Sequence, residues 1–355
     1  ESVAIAEPLL GEVGADATEI NADKEAVATA ITTEAVAAAG YDDTAAAAAD
    51  GTAFVFMGHG TSHTAKISYS QMQMTMQTLG YDNVFIGTVE GEPEDTACEA
   101  VIEKIKEAGY TPIAMGNKDQ WLAESAVFNT YAYKYIDQDW FNSLANNEGA
   151  KFTDEKFVKA LEGFQNIAQY FNEDMNSINQ DEMFALYYDK KAAMFFDGAW
   201  SVGTMIQNCP EDVLATTHVG LMPAVEGESG TKYDTAAGAG WNYVINSRVE
   251  GDDLKAVLAF LKAITTGEYA DDALQQGFIS AAKTSDDLDK STLAPLFAEY
   301  NELAAQMNNC SIFDCVLPAE VGSGVLYADT QQLIAGSMTA ENMAADCQSA
   351  LEANY

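Results

Sequence analysis

Two sets of side chains in this sequence are of types that do chemistry. The first is His59, in TAFVFMGHG, and Glu90, in NVFIGTVEG. Each follows a short apolar run closed by glycine, the pattern of a buried parallel strand. Both are therefore expected at the carboxyl ends of strands, where open α/β sheets place their ligands. Imidazole beside carboxylate suits a divalent first-row metal. His63 lies four residues after His59, but an HxxxH pair needs both residues on one helix, and His59 ends a strand. The second set is aromatic: Trp121, Trp140, Trp200 and Trp241 are the only tryptophans. Trp200 follows FFDGA at the end of an apolar run. Trp241 follows GAG, where small residues let a ligand approach the backbone. A carbohydrate presents apolar C–H faces, which suit aromatic rings, and hydroxyls, which suit Asp, Asn and Glu. Trp200 and Trp241 are the candidate stacking platforms, Asp197 a hydroxyl acceptor and Trp121 a further candidate. Trp140 reads equally well as packed core.

The elements that must position these residues change character along the chain. EAVATAITTEAVAAAG reads as a helix closed by Gly40. HTAKISYSQMQMTMQTLG reads as another, with Ser62 or Thr64 near its N-cap and Gly80 at its end. Its stripe of Tyr69, Met72, Met76 and Leu79 is expected in a core, not at a metal. DTACEAVIEKIKEAGY follows as a third helix. With the two glycine-closed strands the order is β-α-β-α, which predicts a parallel sheet. After Thr111 helical segments dominate and aromatic residues become dense. AAMFFDG, VGLMPAV and WNYVINS are read there as short strands. The opening VAIAEPLL also reads as a strand, with no leader before it, which is the look of a chain entered mid-domain.

Bulk properties exclude several functions. Lys and Arg total 17 against 55 Asp and Glu, a formal charge of −38. Such a field repels nucleic acid and anionic lipid. Arg248 is the only arginine, so bidentate clamps for phosphates or dicarboxylates are scarcely available. A neutral or cationic solute is expected. No apolar run is long enough to span a bilayer. The five cysteines form no CxxC pair and are expected to be mostly buried apolar fillers rather than a disulfide framework. No GxSxG, HExxH or glycine-rich phosphate loop occurs, so nothing in this set of motifs argues for catalysis.

Two family resemblances bear on these residues. MGHGTSH, GTVEGEP and ESVAIAEPLL resemble the anaerobic sirohydrochlorin cobaltochelatases over about residues 1–110. The resemblance implies a metal site with cobalt or another divalent ion on His59 and Glu90, and a cytoplasmic setting. The family's second metal-binding histidine has no counterpart here, since His218 sits in TTHVGLMP without the matching context. The tetrapyrrole site is therefore expected to be incomplete. From about residue 111 to 355 the chain resembles family 1 extracellular solute-binding proteins of ABC importers. TPIAMGNKDQW, DEKFVKALEGF, KKAAMFFDGAWSVG, GLMPAVEGESG, GAGWNYVINS and GSMTAENMAADCQSALEANY carry it. This implies a two-lobed, periplasmic-binding-protein-like α/β fold of the Venus-flytrap type II kind. Its N-terminal lobe is incomplete, because the chelatase-like segment stands where that lobe would begin. It also implies a sugar or oligosaccharide ligand without a cofactor, ABC permease subunits as partners, and an extracellular, lipid-anchored complete protein. Trp200 and Trp241 then fall at the interlobe cleft. The readings that follow are sugar capture, a chelatase-derived metal or tetrapyrrole protein with an incomplete site, or a mosaic of the two without function.

Overall fold

A computed structural model describes residues 9–238, 242–278 and 289–355. The expected opening strand lies in residues 1–8, outside the described residues. The chain divides into two compact units. The first comprises Glu1–Ala114 with Tyr170–Asn172 and Asp189–Met194, and the second comprises the rest.

The first unit begins with α1 (Ala22–Ala38), capped by the Asn21 side chain accepting from Lys24 N, and the short α2 (Thr44–Ala49). β1 (Phe54–Gly58) and β2 (Val84–Thr88) then pair in parallel, from Phe54 opposite Val84 to Gly58 opposite Thr88. Between them runs α3 (Ile67–Thr78), entered through a 3-10 turn whose cap is His63, not Ser62 or Thr64. The His63 ring accepts from Ala65 N at 3.1 Å. α4 (Cys98–Glu107) leads to β3 (Thr111–Ala114), which pairs with β4 (Ala192–Phe195). The methionine stripe is core, as its spacing predicts. Met72 and Met76 pack with Ala28, Val84 and Ile86, and Tyr69 and Leu79 lie against that cluster. One polar side chain completes the packing. Gln73 donates to Val84 O (3.0 Å) and accepts from Ile86 N (2.8 Å), giving β2 partners from a helix.

The second unit is mostly helical. A π-helical stretch (Leu122–Phe128) runs into α5 (Asn129–Ala132), followed by α6 (Gln138–Ala145), α7 (Glu155–Ala168) and α8 (Gln180–Tyr188). Then come α9 (Ser201–Asn208), α10 (Glu211–Leu214), β5 (Asp234–Ala236), α11 (Gly251–Thr265), α12 (Glu268–Gln275) and α13 (Pro295–Ala304). β6 (Asn308–Cys310), parallel to β5, precedes α14 (Phe313–Val316), a second π-helical stretch (Glu320–Leu326), α15 (Tyr327–Ile334) and α16 (Ala340–Ala353). Its centre is aromatic. Phe141 stacks on Phe313 with centroids 4.8 Å apart, and Trp140 stacks on Phe157 at 5.6 Å. Trp140 is thus core, with its indole N–H held by Asp154 at 2.8 Å. Asp154, placed at the start of α7, spends its side chain on Trp140 and Lys151 N rather than on capping the helix.

Several local expectations do not survive. VGLMPAV and the described part of WNYVINS form no strand. Apolar extended runs become strands only when a partner edge is within reach, and the pattern of one segment does not supply one. All five cysteines are free, but only Cys310 and Cys347 are buried, while Cys98 and Cys315 are exposed. The filler role therefore holds for two of the five.

Candidate functional site

In the first unit the structure brings the predicted metal pair together. The parallel register places Gly58 opposite Thr88, so the chain leaves both strands at the same edge. Glu90 N donates to His59 O at 3.0 Å and holds the two turns side by side. His59 Nδ1 lies 3.4 Å from Glu90 Oε1, with side-chain exposures of 80% and 52%. The neighbouring carboxylate, Glu92, is already engaged by Lys66 at 2.5 Å. No group of three or more His, Cys, Asp or Glu residues with metal-holding geometry occurs among the described residues. The pair therefore offers two donors at an open rim. That is enough to touch a divalent ion but not to enclose it.

In the second unit three segments interlock around the aromatic candidates. The first is the loop Met115–Trp121. Its Gly116 lies so close to the turn before α8 that a Cβ would sit 2.2 Å from Asn179 O. Asn117 N donates to Met175 O (2.6 Å) and Lys118 N to Ile178 O (2.9 Å). The fully buried Asn117 side chain accepts from Ala123 N at 3.0 Å and donates to Asn176 at 3.1 Å. The second segment is this 175–180 turn, which ends in Gln180. The third is the loop Asp197–Ser201 after β4. Gln180 Nε2 donates to Asp197 Oδ2 at 2.6 Å, the Ser201 hydroxyl donates to the same oxygen, and Gly198 N donates to Oδ1 at 2.7 Å.

These contacts set the geometry of the rings. Trp121 and Trp200 stand 5.8 Å apart by ring centroid, tilted by 50°. Trp200 is 51% exposed. Its ring lies across Gly198, where a Cβ would be 2.1 Å from two ring carbons. Rings this close and this oblique leave no slot between them for a sugar. They form a bent aromatic surface with the Trp200 face available to solvent. Partial burial pushes the Asp197 carboxyl up to about 6, against the hydrogen bonds from Ser201, Gly198, Gln180 and the Trp200 indole that favour its charged form. With four donors already on its two oxygens, Asp197 first of all fixes the loop that presents Trp200. Trp241 lies outside the described residues.

Ser201 is legible as a polar residue four positions after Asp197 at a helix start. Gln180, Asn117 and Asn176 carry no local signal, because their partners lie 17 or 59 residues away in the chain.

Comparison with known proteins finds a family match over each of the two segments that carry these residues. The family model for cobalt chelatase (CbiK) matches residues 1–180, and that for bacterial extracellular solute-binding proteins matches residues 99–271. The chain belongs to the cobalt chelatase family over residues 1–180, and over residues 99–271 it is similar to bacterial extracellular solute-binding proteins. The chelatase match runs past residue 110, where the chelatase motifs stop, and the two matches overlap over 99–180. A curated relative, an uncharacterized ABC transporter extracellular-binding protein of Pyrococcus horikoshii (strain OT-3), is 36% identical over 104 residues. That covers 29% of this chain and 23% of the relative. Among solved structures, a chitin oligosaccharide binding protein matches with a TM-score of 0.63 at 21% identity, over 72% of this chain and 63% of that one. A structure described for xylan utilization by Caldanaerobius polysaccharolyticus matches with a TM-score of 0.59 at 20% identity, over 70% and 63%. These structures share their fold with this chain, which spans under two thirds of each and about a quarter of the curated relative.

Proposed function

We propose that the chain is the solute-capturing component of an ABC importer and takes a neutral carbohydrate on the bent aromatic surface of Trp200 and Trp121. The observation that carries this is the half-exposed Trp200 ring, held over Gly198 by a loop that Asp197, Gln180 and Ser201 lock in place. A large apolar ring kept in solvent by a polar scaffold is a stacking platform for the C–H face of a sugar. Asp197 serves the ligand by fixing the loop that presents this ring and, in the same reading, Trp241 adds a second platform. The names of the structural neighbours, a chitin oligosaccharide binding protein and a xylan utilization protein, support a saccharide as the solute. The extreme acidity disfavours an anionic one. No cofactor is needed for this role. ABC permease subunits are the partners, and the complete protein acts outside the cell, held by a lipid anchor. No described helix is long and apolar enough to cross a membrane. On this reading residues 1–110 form a chelatase-like half-domain, residues 111–355 carry the binding function, and the N-terminal lobe is incomplete.

Calorimetric titration of the purified chain with neutral mono- and oligosaccharides tests the proposal. Binding lost at least about tenfold in Trp200→Ala supports it, and flat titrations across the panel sink it. A second reading, capture of a divalent metal as chelatase substrate, rests on the 3.4 Å approach of His59 to Glu90. Cobalt affinity that His59→Ala leaves unchanged removes that reading.

A further inference from the structure

Away from the Trp121–Trp200 surface, a cavity of about 160 Å³ opens on α12, lined by Tyr269, Asp272, Ala273, Gln276 and Phe278. Tyr269, Asp272 and Gln276 recur at helical spacing and share one face. Phe278 joins them through the helix end. Gly277 takes a positive φ of 82°, and Phe278 N turns back to donate to Ala273 O at 2.9 Å. This brings a second ring to the same face. Two aromatic rings, 58% and 47% exposed, therefore flank an exposed carboxylate and an exposed amide. Rings that serve a core are covered, and these are not. The arrangement repeats the chemistry of the first site, with apolar faces for C–H surfaces and polar groups for hydroxyls.

α9 ties the two sites together. Gly203 lies three residues after Trp200, about 4.5 Å along the helix. A Cβ there would sit 3.0 Å from Gly277 O and 3.5 Å from the Phe278 ring. Phe278 thus packs on the helix one turn from Trp200. We infer that the Tyr269–Phe278 cavity is a second stacking subsite for the same ligand, so that the solute is an oligosaccharide and not a single sugar. This rests on the carbohydrate reading above. Trp200 holds one residue of the ligand, while Tyr269 and Phe278 hold a more distant one, with Asp272 and Gln276 meeting its hydroxyls.

The test is calorimetric titration of the full chain with chito- and xylo-oligosaccharide ladders, from the monosaccharide upward. Affinity should rise at least about tenfold with length in one ladder. Tyr269→Leu and Phe278→Leu should each remove most of that gain and leave binding of the shortest bound member unchanged, whereas Tyr269→Phe should retain it. Both positions are exposed, and unchanged melting curves confirm that the variants fold. Length-independent binding that still requires Trp200 overturns this inference and leaves the carbohydrate reading standing. Equal binding of the longest member by the leucine variants overturns it too. No binding of any saccharide overturns both.

Discussion

At Gly198 the absence of a side chain does as much for the site as the tryptophan itself. The Trp200 ring occupies the space where any Cβ on residue 198 would stand, 2.1 Å from two of its carbons. Gly198→Ala must therefore push the ring out of its present orientation. Carbohydrate affinity should drop by about tenfold or more, as in Trp200→Ala, although residue 198 supplies no ligand group. Because the ring is half exposed and forms no part of a core, both variants should unfold within about 2 °C of the parent. Titration paired with thermal melts checks this. An alanine at 198 with full affinity would show that the ring does not need its seat. Sequence spacing brings Trp200 and Asp197 to notice, because DGAW is a local string. What it does not show is that the aspartate faces inward to Gln180 and Ser201, acting on the ligand mainly through the loop it fixes.

Between elements, polar groups placed in apolar surroundings carry the clearest consequences. Gln73 reaches from α3 to bond both Val84 O and Ile86 N of β2. Gln73→Ala leaves two buried backbone groups without partners, which costs about 1–3 kcal/mol for each group left unmatched. A fall in unfolding free energy of that order, read from chemical denaturation, is expected, and an unchanged midpoint would mean that water replaces the amide. In the second unit the fully buried Glu124, on the first π-helical stretch, keeps Oε2 without a partner, and Asp329 on α15 does the same with Oδ2. Burial first, then the nearby Asp314, raises the Glu124 carboxyl well above its usual range. Burial, then Asp346, pushes Asp329 up to about 6. A carboxyl whose folded value is raised stabilises the fold fully below its unfolded value, near 4. That contribution is lost as pH rises through about 6. Asp329→Asn keeps an oxygen for the Gln332 donor at 3.2 Å and cannot ionise. It should match the parent melting temperature at pH 4 and exceed it by about 2 °C or more at pH 8. Equal temperatures at both values would place the titration elsewhere. The helices, the β-α-β-α order and the methionine stripe were legible because each rests on a periodicity within one segment. The pairing of β3 with β4, the polar clasp of Gln73 and the acids between helices were not. Each joins residues far apart in sequence, and the pattern of a single segment holds no record of its partner.

Over the whole molecule the dominant quantity is charge. Seventeen basic residues face 55 acidic ones, for a formal −38. The described ion pairs are mostly exposed: Lys159 with Glu155 at 3.1 Å, Lys255 with Asp252 at 2.9 Å and Lys191 with Asp189 at 3.0 Å. Pairs of this kind, screened by water and salt, contribute little to stability. They leave the excess carboxylates to repel one another across a surface where the Debye length at 0.15 M is about 8 Å. Folding brings those carboxylates closer together than the unfolded chain does, so self-repulsion works against the compact state. Added salt shortens the screening length and weakens the repulsion more than it weakens the few attractive pairs. Raising sodium chloride from about 0.01 M to about 1 M, which shortens that length from about 30 Å to about 3 Å, should raise the melting temperature by several degrees. The same salt should leave affinity for a neutral saccharide nearly unchanged, since no net charge enters the site. A cationic ligand would instead bind more weakly at high salt, through loss of the long-range attraction that a −38 surface exerts. Melting curves and titrations at the two ionic strengths therefore separate the stability effect from ligand charge. An affinity that falls steeply with salt would exclude a neutral solute.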